Sequence, residues 1–187
     1  INIAAHIYIS LQEIIAREIS ATHPAVLTIG KFSGGEVPNV IPGEVIMEGT
    51  IRSLNKEAGE FIFDRMNDIV VSTAKMFRGE AELIELSSVP PLANDNDLAK
   101  EVTSYLKDLL GEKSVISFES AGMGSEDFAS YSYEVPSLYL LLGAGSKHEN
   151  PLYGEAMHSE KVVFNEDILV TGAAMHAYSA IMWLKNN

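Results

Sequence analysis

The sequence predicts a mixed α/β protein, α+β in its first half and α/β in its second, and three observations carry that expectation. Residues 1–90 switch between helical and strand periodicity in the order αββαβ. The stretch Val89-Pro90-Pro91-Leu92-Ala93-Asn94-Asp95 combines two prolines with an Asn/Asp pair, which stops regular structure and marks a linker. Beyond it, the apolar run Ser137–Leu142 stands between helical segments, as a buried strand of a parallel sheet does. A chain of 187 residues holds one large domain or two small ones. The linker divides this one at 1–90 and 91–187.

Taken in order, Asn2 is placed to cap a helix whose apolar positions are Ala4, Ala5, Tyr8, Leu11, Ile15 and Ile19, and His23-Pro24 ends it. Ala25–Phe32 reads as a strand, broken by Ser33-Gly34-Gly35. Glu44–Arg52 alternates, with Val45, Met47, Gly49 and Ile51 on one face and Glu44, Ile46, Glu48, Thr50 and Arg52 on the other. Asn55 caps a helix to about Phe77, with Phe61, Ile62, Met66, Ile69, Val70 and Thr73 inward, and Gly79 closes it. Ala81–Leu86 is a further strand. One more strand ahead of the first helix would complete βαββαβ, the ferredoxin-like split βαβ. The first residue is Ile1, and the expectation is a ferredoxin-like domain lacking its first, central strand.

In the second half the reading is a helix at about Asp97–Leu110 and a short strand, Val115–Phe118. The loop Ala121-Gly122-Met123-Gly124-Ser125-Glu126-Asp127-Phe128 then leads into a helix with Ser125 as its cap. The strand Ser137–Leu142, a loop from Gly143 to about Asn165 and a last helix, Asp167–Leu184, complete the chain. In that last helix Ile168, Ala173, Met175, Tyr178 and Ile181 are available for packing.

Composition excludes several function classes. Thirteen Lys and Arg against 26 Asp and Glu leave a formal charge of −13, the wrong sign for nucleic acid or an anionic membrane surface. Cysteine is absent, so disulfides, Cys-based zinc sites and a thiol nucleophile within this chain are excluded. No apolar run reaches the roughly 18 residues a membrane span needs. A cytoplasmic protein is the expectation. No Gly-x-Ser-x-Gly elbow supports a serine hydrolase.

Four groups could carry chemistry. His158 lies in the long loop after the apolar strand, where α/β proteins place their sites, and its imidazole could ligate a divalent metal; the plainer reading is a surface histidine. Glu126 and Asp127 could orient a metal ligand or hold a substrate amine, or simply favour a helix N-terminus. Arg52, on the polar face of its strand, presents a fork that suits a carboxylate, and Asn39 in the preceding loop could add an amide hydrogen bond; alternatively Arg52 pairs with Glu48 or Glu44. Gly143-Ala144-Gly145 permits a tight turn but lacks a phosphate-binding pattern. His6 and His176 fall within helices and read as packing or surface residues.

The order of these motifs is more telling than any one of them. Ser10-Leu11-Gln12-Glu13-Ile14-Ile15-Ala16-Arg17-Glu18, Gly34-Gly35, Asn39-Val40-Ile41-Pro42, Gly49-Thr50-Ile51-Arg52, Pro90-Pro91 and Asn94-Asp95 are followed by Gly124-Ser125-Glu126-Asp127-Phe128, Gly143-Ala144-Gly145 and Met157-His158-Ser159. This series resembles the metal-dependent amidohydrolases of the aminoacylase–carboxypeptidase superfamily, the group that includes hippurate, N-acyl-amino-acid and auxin-conjugate hydrolases. The resemblance runs from about residue 1 to 184. It implies that 1–90 is a lid that mediates homodimerisation, and that 91–187 is the C-terminal part of the catalytic domain. By the same resemblance His158 is a metal ligand, Asn39 and Arg52 hold the substrate's carboxylate, and Glu126 and Asp127 sit in an active-site loop. The cofactor implied is a divalent metal, two ions per complete site, with Zn, Mn, Co and Ni not distinguished. The substrate implied is an N-acyl or N-aroyl amino acid, with dipeptides or carboxypeptidase substrates as the alternative.

The family's Cys-Gly-His metal motif, its Glu-Glu pair and its lid histidine have no counterpart in these residues. The chain alone is therefore expected to be inactive, its parent protein being the enzyme. The rival of another class is a non-catalytic dimerisation or ligand-binding module.

Overall fold

The computed structural model describes residues 1–118 and 122–186. It divides into two compact units, Ile1–Leu92 with Ser120–Ser130, and Ala93–Glu119 with Tyr131–Asn187. Each is a mixed or helical layer with its own core.

In the first unit, helix α1 (Asn2–Glu13) continues into one π-helical turn, Ile14–Glu18. Ile1 takes the cap position without any side-chain hydrogen bond, so Asn2 is the first helical residue and not the cap. The buried stripe is Ala4, Ile7, Leu11 and Ile14, at spacings of three and four, rather than the stripe through Ala5 and Tyr8. The wide turn then shifts the phase so that Ile15 and Ile19 also reach the core. Strand β1 (Ala25–Ser33) pairs antiparallel with β2 (Ile46–Ser53). Ala25, Leu27, Ile29, Met47 and Ile51 line the face packed on the helices.

Helix α2 (Lys56–Met76) buries Ala58, Ile62, Met66, Ile69, Val70 and Ala74 on that core, leaving Phe61 outside. Asn55 caps it, its Oδ1 accepting from Ala58 N–H at 2.7 Å. At the other end the Arg78 and Gly79 amides donate to Lys75 O and Ala74 O, a Schellman arrangement. The left-handed position falls on Arg78, at φ 60°, and not on Gly79. A Cβ at Gly79 would stand 2.6 Å from Ile3 Cδ1, the movable end of a side chain.

In the second unit, α3 (Asn96–Leu110) and α4 (Ile168–Asn186) pack through Val102, Tyr105, Leu106 and Met175. Tyr178 packs as expected, while Ile181, expected inward, is exposed and Met182 packs in its place. Asp95 caps α3, its Oδ1 accepting from Asp97 N–H at 3.1 Å and Leu98 N–H at 2.8 Å. The Tyr105 hydroxyl donates to the Glu101 carboxylate and accepts from the Asn186 amide at 2.8 Å, tying the two helices together. Burial, then the Glu101 hydrogen bond, pushes the Tyr105 hydroxyl above its usual pKa of 10.

Three expected strands correct to extended segments without ladders. Among the described residues the sheet has two strands, β1 and β2. Ala81–Leu86, Val115–Phe118 and Ser137–Leu142 form no ladder with any described segment. A strand exists only where a neighbour supplies the partner N–H and C=O groups. The side chains still behave as the alternation predicts: Ala81 and Leu83 pack on the first core, while Ile84 is exposed.

Candidate functional site

Arg52 is one residue from the Ala25/Ser53 end of the β1–β2 ladder, opposite Val26, on the face turned away from the helices. Neither Glu48 nor Glu44 pairs with it. Glu48 pairs instead with Lys31, directly across the ladder, and Arg52 has no ion-pair partner among the described residues. Register explains the choice. Ile29 faces Gly49 and Lys31 faces Glu48, so Gly30 is a bulge residue that keeps Lys31 on the outward face and Phe32 opposite Met47.

Asn39 is exposed in the loop that joins Ser33 to Ile46, at the other end of the hairpin. Six residue steps along β2, about 20 Å, take the strand from Ile46 to Arg52. No hydrogen bond or ion pair among the described residues joins Asn39 to Arg52. The loop turns through Gly35, at φ 84°, where a Cβ would meet Ile1 and Pro42. It encloses a shallow cavity of about 480 Å³ lined by Gly34, Val37, Ile41, Pro42 and Glu44 among others.

Glu126 and Asp127 belong to the same unit as Asn39 and Arg52. The helix expected there is a 3₁₀-helix, Asp127–Tyr133. Its first turn is capped by the carboxylate of Glu126, which accepts from Phe128 N–H at 3.3 Å, and not by Ser125. Glu126 is half-buried and Asp127 exposed. Ala121, in the loop ahead of them, lies outside the described residues.

His158 belongs to the other unit. It is exposed and adopts φ 71°, one of two non-glycine residues at positive φ among those described. The Ser159 amide donates to Ala156 O at 3.0 Å, so His158 is the third residue of a β-turn of type II character, a position glycine or asparagine usually fills. Holding histidine there costs about 1–2 kcal/mol of backbone strain.

The loop around His158 is pinned at its base. Asn165 N–H donates to Ala144 O at 2.9 Å. Gly145 sits at φ 116° against Tyr153, where a Cβ would be 2.3 Å from the ring. Asn150 caps the 3₁₀-helix Pro151–Gly154 through Leu152 N–H at 3.0 Å. Sequence reasoning passed over one further residue, Asn94, whose side chain bonds the backbone of Tyr139 through both its amide atoms. Its place in an Asn-Asp pair after two prolines reads as a turn signal, which hid that role.

His6 stacks on Phe77 with ring centroids 4.6 Å apart, as a packing residue does. Among the described residues no three His, Asp or Glu side chains gather into a metal site. The residues present therefore do not by themselves fit a metal centre.

Comparison with known proteins decides the family. The model of peptidase family M20/M25/M40 matches residues 9–181. The chain belongs to that family. An Arabidopsis thaliana IAA-amino acid hydrolase, ILR1-like 2, is 32% identical over 97% of the chain and 41% of its own length. Thermostable carboxypeptidase 2 of Saccharolobus solfataricus is 32% identical over 94% of the chain and 45% of its own length. A Bacillus subtilis structure, the YXEP protein, described as a dinuclear metal binding peptidase of the M20 family, superposes with a TM-score of 0.77. It covers 100% of this chain and 46% of that one at 24% identity, which speaks for the fold. The chain thus spans somewhat less than half the length of the family relatives it matches.

No described helix is long and apolar enough to cross a membrane.

Proposed function

We propose that this chain is the C-terminal part of a divalent-metal amidohydrolase that cleaves N-acyl or N-aroyl amino acids to a carboxylate and an amino acid. Residues 1–90 are its lid and 91–187 the end of its catalytic domain. Arg52 carries the reading. It stands exposed on β2 with no carboxylate partner among the described residues, while Glu48 on that face is taken by Lys31. A guanidinium in that state can donate two parallel hydrogen bonds to a substrate carboxylate. Asn39, exposed in the loop at the other end of the hairpin, is assigned to the substrate by the family resemblance.

His158 offers one imidazole toward a metal whose other ligands, and the general base, come from residues outside this chain. The metal supplies polarisation of the amide carbonyl when bound. Glu126 and Asp127 line the substrate loop. Lid pairs with lid in a homodimer, and the enzyme works in the cytoplasm on small molecules, with no nucleic acid or membrane partner.

In the parent protein, Arg52→Ala is expected to lower kcat/KM for N-acyl amino acids with the fold intact. Unchanged kcat/KM would overturn the assignment of Arg52. The similarity to a carboxypeptidase favours one second reading, a peptidase acting at a free C-terminal carboxylate, in which Arg52 plays the same part. A panel of hippurate, N-acetyl amino acids and dipeptides separates the two.

A further inference from the structure

We propose that Asn94 is a positioning residue for the loop that carries His158, acting through the extended arm 137–142. The inference rests on the hydrolase reading of His158 given above.

Asn94 Nδ2 donates to Tyr139 O at 3.1 Å, and Tyr139 N–H donates to Asn94 Oδ1 at 2.7 Å. A side-chain amide thus makes the paired bonds that a neighbouring strand would otherwise make. The backbone joins in one residue later, where Asp95 N–H donates to Ser137 O at 2.9 Å. Asp95 is itself fixed, since it caps α3. Three hydrogen bonds therefore lock the arm to the start of a helix whose far side forms the unit's core.

The arm has no ladder partner among the described residues, and this clamp is a polar anchor for it. Its apolar anchors are Leu138, which packs on the α3–α4 core, and Leu142, which lies where a Cβ on Gly172 would meet it at 3.1 Å. The arm runs directly into Gly143-Ala144-Gly145. There Ala144 O receives Asn165 N–H, and Gly145 receives the Tyr153 ring, closing the base of the loop that bears His158. Releasing Asn94 frees the arm at Tyr139, five residues before that base. Asn94 touches neither substrate nor reacting atoms, and it serves by holding the imidazole's support in place.

The test uses the full-length parent enzyme, with Asn94→Ala, Asn94→Asp and His158→Ala compared on an N-acyl amino acid. Aspartate keeps the acceptor for Tyr139 N–H and loses the donor to Tyr139 O. For N94A the expected results are faster hydrogen exchange in segment 137–142 and a kcat lowered roughly 10-fold or more. KM stays near wild type, because the carboxylate is held by Asn39 and Arg52 in the other unit. N94D recovers part of the loss. Unchanged exchange in N94A, or faster exchange with unchanged kcat, overturns the proposal. If N94A does not fold, N94D carries the test, and a wild-type kcat in N94D overturns it. Full activity in H158A overturns the underlying reading of His158, whereas an inactive H158A beside an unaffected N94A overturns the role of Asn94 alone.

Discussion

Lys31 and Glu48 face each other across the β1–β2 ladder and pair there, and this leaves Arg52, two register steps further along the outward face, with no acid among the described residues. The pair depends on Gly30. Without the bulge, strict alternation would put Lys31 on the same face as Ile29, against the core. The guanidinium's availability is thus a consequence of register.

Losing Arg52 should therefore cost function and not stability. Removing hydrogen bonds to a charged carboxylate costs about 1.5–3 kcal/mol, or roughly 10–100-fold in kcat/KM. Glu48→Ala should change stability by under about 1 kcal/mol, because the Lys31–Glu48 pair is exposed. Steady-state kinetics of the parent enzyme and urea unfolding of this chain check the two halves.

Gly49 should be the least replaceable residue of the hairpin. A Cβ there would lie 2.2 Å from Thr28 O and 2.8 Å from Ile29 Cδ1, so backbone must move. Gly49→Ala is expected to destabilise the first unit by about 1–3 kcal/mol. Gly30→Ala, with open space around its Cβ, should cost clearly less. Urea unfolding of both variants gives the comparison, and equal losses would count against the register.

His158→Gly should relieve strain. Glycine adopts φ 71° freely, so the variant is expected to melt at or slightly above wild type in the presence of chelator. In the parent enzyme it should abolish hydrolysis. A fall in melting temperature would show that the imidazole serves the fold.

Tyr105 should make the second unit sensitive to alkali. Its folded pKa is raised above the unfolded value of 10, by burial first and by Glu101 next. The stability it contributes is fully present below pH 10 and is lost as pH rises through the higher folded value. Melting followed by circular dichroism from pH 8 to 11 should show the decline, and Tyr105→Phe should flatten it.

The long helices were legible because their signals are local. Asn55 supplies a cap, and the buried stripe of α2 follows its own 3.6-residue period. The family was legible too, since motif order survives where single residues are ambiguous. What escaped was whatever depends on a partner. The bulge at Gly30 needs the register of β2, the three ladderless segments need neighbours, and Asn94 needs Tyr139, 45 residues away. At the end of α2 the left-handed position fell on Arg78 and not on the glycine beside it.

The central claim is that Arg52 of an amidohydrolase grips the carboxylate of an N-acyl amino acid. The direct measurement is hydrolysis by the parent enzyme, wild type and Arg52→Ala, of N-acyl amino acids with a free carboxylate and of the same compounds with that group amidated. The account predicts that wild type prefers the free acids and that the variant loses roughly 10–100-fold on them while barely changing on the amides. Equal loss on both, or no hydrolysis of either by wild type, would contradict it.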